Sequence, residues 1–198
     1  AADGEIRALW IACTNPAQSM PDQNTVRRAL QRAEFVVVQE AFATTATCDY
    51  ADLLLPATTW GEKDGTVTNS ERRISRVRPA VPPPDSARHD WEIVVDFARR
   101  LEQRLPPSPS GGGPGWGHAR PTLFPYTTPE QVWLEHREST RGRDLDITGL
   151  DYAMLDEVPR QWPFPAGAST GRERLYADGV FPTPDGKARF AALPFVPL

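Results

Sequence analysis

Apolar residues in the first ~105 positions fall into short unbroken runs, separated by stretches of helical spacing. Ile6 to Cys13, IRALWIAC, is a nearly continuous apolar run of the kind a buried parallel strand shows. It ends in the polar TNPAQSMPD, where Ser19 with Asp22 three residues on has the form of a helix-opening capping box. Val26, Ala29, Leu30 and Ala33 then recur at i, i+3, i+4 and i+7, one apolar helix face. FVVV from Phe35, closing on Gln39-Glu40, predicts a second buried strand. Thr44 to Ala51 predicts a short helix, and Leu53 to Leu55 a third strand closed by Pro56. Strand, helix, strand, helix, strand at this spacing implies a right-handed βαβαβ unit with ligands at the carboxyl ends of its strands.

Further along, Ile74 to Arg78 predicts a short strand cut off by PAVPPPD. His89 to Leu105 carries the clearest helical pattern. Trp91, Val94, Val95, Ala98, Leu101 and Leu105 share one side, and Arg99, Arg100, Glu102 and Arg104 the other. Residues 106–121 are a Pro/Gly-rich linker, too polar to offset their ordering entropy. Thr128-Pro129-Glu130 opens another helix, with Val132, Trp133 and His136 on its inner face. RLYADGVFPTPDGKARF closes the pattern as a hairpin turning at Asp185-Gly186. The expected architecture is α/β: a mostly parallel Rossmann-like sheet with flanking helices over 1–105, then a less regular Pro-rich helical and hairpin segment over 122–198.

Composition narrows the function classes. The chain has 198 residues, enough for one good core plus appendages. Its 21 prolines are about twice the ordinary share of ~5% and concentrate after Pro79, so the two halves should differ in order. With a net charge of -4 and arginines offset by nearby acids, nothing suggests a nucleic-acid surface or a membrane partner. Cys13 and Cys48 lie far apart, without C-x-x-C spacing or a His cluster, which argues against a structural zinc or iron–sulfur site and for small buried apolar residues. The chain begins at Ala1 and reads as a piece of something longer.

Three polar turns fall where a doubly wound sheet presents its ligand edge: Thr14-Asn15-Pro16, Gln39-Glu40, and Trp60 to Asn69. An acid at a second strand end can accept both hydroxyls of a ribose, and a carboxylate can take paired hydrogen bonds from a guanine edge. Lys63 suits a phosphate, and Asp90, at a helix start, a base or sugar. The same residues have plainer readings as a local turn (Asn15), a solvated strand end (Glu40), a hairpin charge (Lys63) and a helix-dipole acid (Asp90). The glycine-rich dinucleotide fingerprint is missing, so this is no ordinary NAD site. Arg72 and Arg73 either clamp an anion or face solvent.

TNPAQSMPD, the run FVVVQEAFATTATCDYADLLLPATTWGEKDGTVTNSERRISRV and the helix start SARHDWEI resemble the molybdopterin-guanine-dinucleotide oxidoreductases. Within that group HRESTRGRDLDITGLDYAMLDE and the following Gln-Trp-Pro are most similar to the catalytic subunits of the assimilatory nitrate reductase branch. The resemblance implies that 1–105 is a domain gripping one guanosine half of a bis-molybdopterin guanine dinucleotide cofactor. Its contacts would be Asn15, Gln39, Glu40, Lys63 and Asp90. Gln39-Glu40 departs from the Ser-Asp of some relatives, which weakens the case for Gln39 while Glu40 keeps its carboxylate. The family's amino-terminal cysteine motif for a [4Fe-4S] cluster and its molybdenum-ligating cysteine have no counterpart in this sequence. The resemblance therefore implies an internal fragment, with no catalytic or metal-ligating residue of its own, that belongs to a cytoplasmic nitrate reductase. Its partners would be the remaining domains of the same subunit and an electron-donor protein. A different redox enzyme of the group, such as a formate dehydrogenase, and a non-catalytic scaffold domain stay open beside it.

Overall fold

A computed structural model of the chain describes residues 1–104 and 122–194. The proposed linker at 106–121 lies outside the described residues. The chain divides into two compact units: Ala1–Gly65 with Val77–Pro129, and Thr66–Arg76 with Glu130–Leu198.

The first unit is built on three parallel strands in the order β1 (Ala8–Ala12), β2 (Phe35–Glu40), β3 (Leu53–Pro56). Trp10 pairs with Val37, and Val37 in turn with Leu53. The middle of the central strand is closed to water, with Val36 and Val38 almost wholly buried as the apolar run predicts, but Phe35 at its start is 46% exposed. β1 differs from the expectation of a buried strand. It is an edge, and Trp10 stays 37% exposed. One face of the sheet packs Leu9, Ile11, Val36 and Val38 against Ala17, Val26 and Leu30.

Local chemistry explains the helices and two departures. Pro16 opens a one-turn helix, α1 (Pro16–Ser19), and Ser19 donates back to the Asn15 carbonyl, so Ser19 ends a turn and caps nothing. Asp22 is the cap of α2 (Gln23–Arg32), accepting from the Thr25 amide at 3.3 Å. The helix expected over Thr44 to Ala51 shrinks to a single 3₁₀ turn at Cys48–Tyr50, where Thr45 and Thr47 carbonyls take the turn's hydrogen bonds.

The long helix α3 (Asp90–Arg104) forms as its pattern requires, but its buried residues are Ile93 and Val95. Val94, Phe97 and Leu101 are half exposed. Spacing shows which residues share a face; it does not say which of two apolar stripes meets the sheet. The exposed stripe borders an apolar groove of about 430 Å³ lined by Trp10, Phe35, Val37, Leu53, Ile93 and Phe97, with Phe97 edge-on to Trp10 at 4.9 Å. This groove is lined mostly by part-exposed apolar side chains together with Arg88, Asp96 and Arg100, and none of the five candidate ligand residues lines it.

The second unit centres on Ile74, Trp133, Ile147, Leu150, Tyr152, Leu155 and Phe164. Its sheet orders β4 (Gly65–Thr68), β5 (Arg73–Val77) and β6 (Arg160–Gln161), with β5 and β6 antiparallel. Two helices, α4 (Pro129–Ser139) and α5 (Tyr152–Glu157), accompany it. Trp133 is buried as expected, whereas His136 is exposed. The segment DLDITGL is a structural knot. Asp146 accepts from the Thr148 amide and hydroxyl and from the Gly142 amide, which turns Ile147 and Leu150 inward. Asp185-Gly186 do turn the chain, with Phe181 N–H donating to the Gly186 carbonyl at 2.9 Å, but no paired strands flank them among the described residues. Phe181 packs on the Tyr176 ring at 5.0 Å instead of across a hairpin, and Phe190 beyond the turn is 95% exposed.

Candidate functional site

Because the three strands of the first unit are parallel and in register, their carboxyl ends share one edge: Ala12 stands beside Gln39, and Glu40 beside Pro56. A fourth segment reaches the same edge. Arg88 N–H donates to the Pro56 carbonyl and Thr58 N–H to the Arg88 carbonyl, both at 3.1 Å, so residues 86–88 run alongside the end of β3. Buried Thr58 then bonds His89 Nδ1 through its hydroxyl at 3.1 Å. Asp90, the first residue of α3, is thereby delivered to the strand ends.

Three of the five sequence-derived residues form one bonded cluster. Asp90 Oδ2 lies 2.6 Å from Lys63 Nζ, and Asp90 Oδ1 accepts from Gln39 Nε2 at 2.8 Å. Lys63 is presented by a 3₁₀ turn at Trp60–Glu62, pinned by Glu62 accepting from the Thr59 amide at 2.7 Å. Its ammonium also lies 5.6 Å from the centre of the Trp60 ring, itself 65% exposed. Burial alone pushes the Asp90 carboxyl up. The hydrogen bonds from Lys63 and Gln39, with the Lys63 charge, outweigh it and hold Asp90 below the usual carboxylate range.

Glu40 and Asn15 occupy the same edge differently. Glu40 Oε1 folds back onto the amides of Ala41, at 2.8 Å, and Phe42, at 3.4 Å, and so shapes the turn after β2. Asn15 ties two loops together. Its Oδ1 accepts from the Thr47 hydroxyl at 2.5 Å and the Thr47 amide at 3.2 Å, while its Nδ2 donates to Gln18. Thr47 is fully buried and accepts in turn from the Ala17 amide.

Cys13 was expected as a small buried residue and is instead exposed, just past the end of β1 at φ 60°. Its Sγ lies 3.9 Å from Asp90 Oδ1. Desolvation, then the charges of Asp90 and Glu40, raise its pKa against the opposing Lys63, so it stays a neutral thiol. Its position immediately after an apolar strand was the available signal for that placement. Cys48 is half-buried in its 3₁₀ turn.

Arg72 belongs elsewhere. Its guanidinium donates to the backbone carbonyls of Trp162, Arg172 and Glu173 within the second unit, and Arg73 pairs with Glu71. Neither is held as an anion clamp. Among the described residues no group of three or more His, Cys, Asp or Glu is arranged to hold a metal ion, and no helix is long and apolar enough to cross a membrane.

One atom in the cluster is orphaned. Gln39 is 2% exposed, and its Oε1 has no hydrogen-bond partner. A buried acceptor without a donor, next to a part-exposed ammonium and carboxylate, suits a polar ligand carrying both an N–H and an anionic group.

A family model for molybdopterin oxidoreductases matches residues 1–100. The chain belongs to that family. It is 37% identical over 99% of its length to an assimilatory nitrate reductase of Haloferax mediterranei and 36% identical over 98% to the assimilatory nitrate reductase catalytic subunit of Bacillus subtilis. It is also 39% identical over 77% of its length to an F420-dependent formate dehydrogenase subunit alpha of Methanocaldococcus jannaschii. The chain spans 26%, 25% and 21% of those three relatives, about a quarter of their length. Acetylene hydratase from Pelobacter acetylenicus shares the fold, with a TM-score of 0.61 over 91% of this chain and 21% of that one, at 18% identity. The molybdopterin oxidoreductase family implies a molybdenum–pterin cofactor.

Proposed function

We propose that this chain is part of the catalytic subunit of a molybdenum-dependent assimilatory nitrate reductase, and that its first unit holds the guanosine diphosphate half of a molybdopterin guanine dinucleotide. The observation that carries the site is the Gln39–Asp90–Lys63 cluster at the carboxyl edge of a parallel sheet, in the stretch matched by the family model. The relatives' names support the nitrate reading.

In this reading the bound molybdenum cofactor supplies the two-electron chemistry that takes nitrate and two protons to nitrite and water. The chain's own residues bind and orient. Lys63 offers its ammonium to the diphosphate, the free oxygen of Glu40 faces sugar hydroxyls, and Gln39 and Asp90 form the polar floor. Asn15 acts through Thr47, by keeping the loops after β1 and β2 in register with each other. Residues 1–105 are the dinucleotide-binding domain, and 122–198 belong to the same subunit. A Rossmann-like class for the parallel sheet, a bis-dinucleotide cofactor, a [4Fe-4S] cluster held outside this chain, an electron-donor protein and a cytoplasmic location complete the proposal.

Titrating the 198-residue chain with guanosine diphosphate by calorimetry tests the site: saturable binding that weakens in Lys63→Ala is expected, and no binding overturns it. The formate dehydrogenase relative favours a second reading. Assaying the whole parent enzyme for nitrate reduction and for formate oxidation separates the two. Formate oxidation without nitrate reduction would decide for the second.

A further inference from the structure

We infer that a recess in the second unit, between the loop at 142–146 and the turn at 176–182, binds a small zwitterion: a free α-amino acid with an apolar side chain. Every residue of this site lies in the second unit, so the inference is independent of the dinucleotide reading.

The recess measures about 350 Å³, within the ~300–1,000 Å³ usual for small-molecule pockets. Pro163, Pro165, Val180, Phe181 and Pro182 give it an apolar wall. Arg143, Arg172, Asp144, Asp146 and Asp178 line it as well.

The hydrogen bonds already made inside the recess select the ligand. Asp146 is fully engaged, with Thr148 on one oxygen and the Gly142 amide on the other. Asp144 accepts from the Tyr176 hydroxyl at 2.7 Å, and Asp178 from the Val180 amide at 3.1 Å, each through one oxygen. The second oxygen of each has no partner among the described residues. Neither the Arg143 nor the Arg172 guanidinium has an acceptor among those residues, although three carboxylates share the recess. A simple anion would answer the guanidiniums and be repelled by the acids; a simple cation would do the reverse. An amino acid answers both. Its carboxylate fits the fork of a guanidinium, its ammonium brings three donors to Asp144 and Asp178, and its side chain meets the proline wall.

Part of the site is already fixed. Tyr176 holds φ 52°, a left-handed backbone that bulky residues seldom adopt, with its ring 5.0 Å from Phe181. The bond to Asp144, then desolvation and the Asp144 charge, raises the Tyr176 phenol above its ordinary value, so it stays a donor and anchors that carboxylate.

Calorimetry on the 198-residue chain with three probes of one skeleton tests this. L-leucine carries both charges, 4-methylpentanoate lacks the ammonium, and L-leucinamide lacks the carboxylate. Leucine should bind saturably, and each analogue about five- to tenfold more weakly, the worth of part-exposed ion pairs. Arg172→Gln keeps the main-chain carbonyl that Arg72 uses, and should weaken leucine and 4-methylpentanoate while sparing leucinamide. The double variant Asp144→Asn, Asp178→Asn keeps an oxygen for Tyr176 and for the Val180 amide. It should weaken leucine and leucinamide and spare 4-methylpentanoate. Thermal melts confirm that the variants fold; the three-probe comparison on the wild-type chain needs none of them. Absence of saturable leucine binding overturns the site. Equal affinity for all three probes overturns the zwitterion assignment, and leucine binding unchanged in both folded variants overturns the location.

Discussion

Lys63 Nζ and Asp90 Oδ2 stand 2.6 Å apart, so the two charges read from the sequence as separate ligand contacts neutralise each other. Each side chain is about a quarter exposed, which keeps the pair exchangeable. In the proposed dinucleotide site, an incoming diphosphate would therefore compete with Asp90 for the ammonium, and the net gain would be smaller than that of a free lysine.

Lys63→Ala should accordingly weaken guanosine and adenosine diphosphate binding together, by about five- to tenfold, and leave their ratio unchanged. Calorimetric titration of both nucleotides checks this. A change in the ratio would place Lys63 against the base.

Asp90 links the cluster to pH. Its folded pKa lies below the unfolded value of about 3.9, so the native state binds fewer protons and the group stabilises the fold above that pH. The contribution disappears as pH falls through the folded pKa. Melting temperatures of wild type and Asp90→Asn should differ at neutral pH and converge below about pH 4, a convergence that pH-dependent thermal melts would reveal. A gap that persists undiminished into strong acid would show that the carboxylate's charge contributes nothing.

Asn15→Ala should destabilise the first unit by about 1–3 kcal/mol, because it strips the buried Thr47 amide and hydroxyl of their acceptor. Asn15→Asp keeps an acceptor oxygen and should lose less. Urea denaturation of the two variants side by side measures the order.

In the second unit Phe164 is fully buried, and Phe164→Ala should cost about 3–5 kcal/mol. Gly149→Ala should also destabilise, since an added Cβ would lie 2.4 Å from the Pro165 carbonyl oxygen, backbone that cannot swing aside. Denaturant midpoints for both variants against wild type test the pair. A wild-type midpoint for Gly149→Ala would mean that the 146–165 knot relaxes freely.

The sequence by itself determined the elements whose cause is local. Val36 to Val38 form the buried middle of the central strand because each is apolar and β-branched, while Phe35 at its start stays 46% exposed. Asp90 to Arg104 is a helix by its spacing and its acidic first turn. The parallel edge was legible too: strands separated by helical and turn segments return to the same side, Gln39-Glu40 close the second strand, and Asn15 and Lys63 follow the ends of the first and third.

Tertiary structure decided what depends on a partner distant in the chain. Ser19-Asp22 looks like a capping box until Pro16 starts a turn of its own. Val94 and Leu101 fit the apolar face of α3 as well as Ile93 does, and packing against the sheet chose between the stripes. Arg72 and Lys63 sit in one polar stretch, yet Arg72 serves the backbone of the second unit and Lys63 the cluster of the first. Gln39, the position at which the sequence departs from some of the relatives it resembles, shows its character last. A buried amide with one end anchored and the other unpaired is a property of three side chains brought together by the register of β2 and the arrival of α3 beside β3. Hydrogen bonds are short-ranged and directional, so no spacing along a single chain specifies them before the fold has formed.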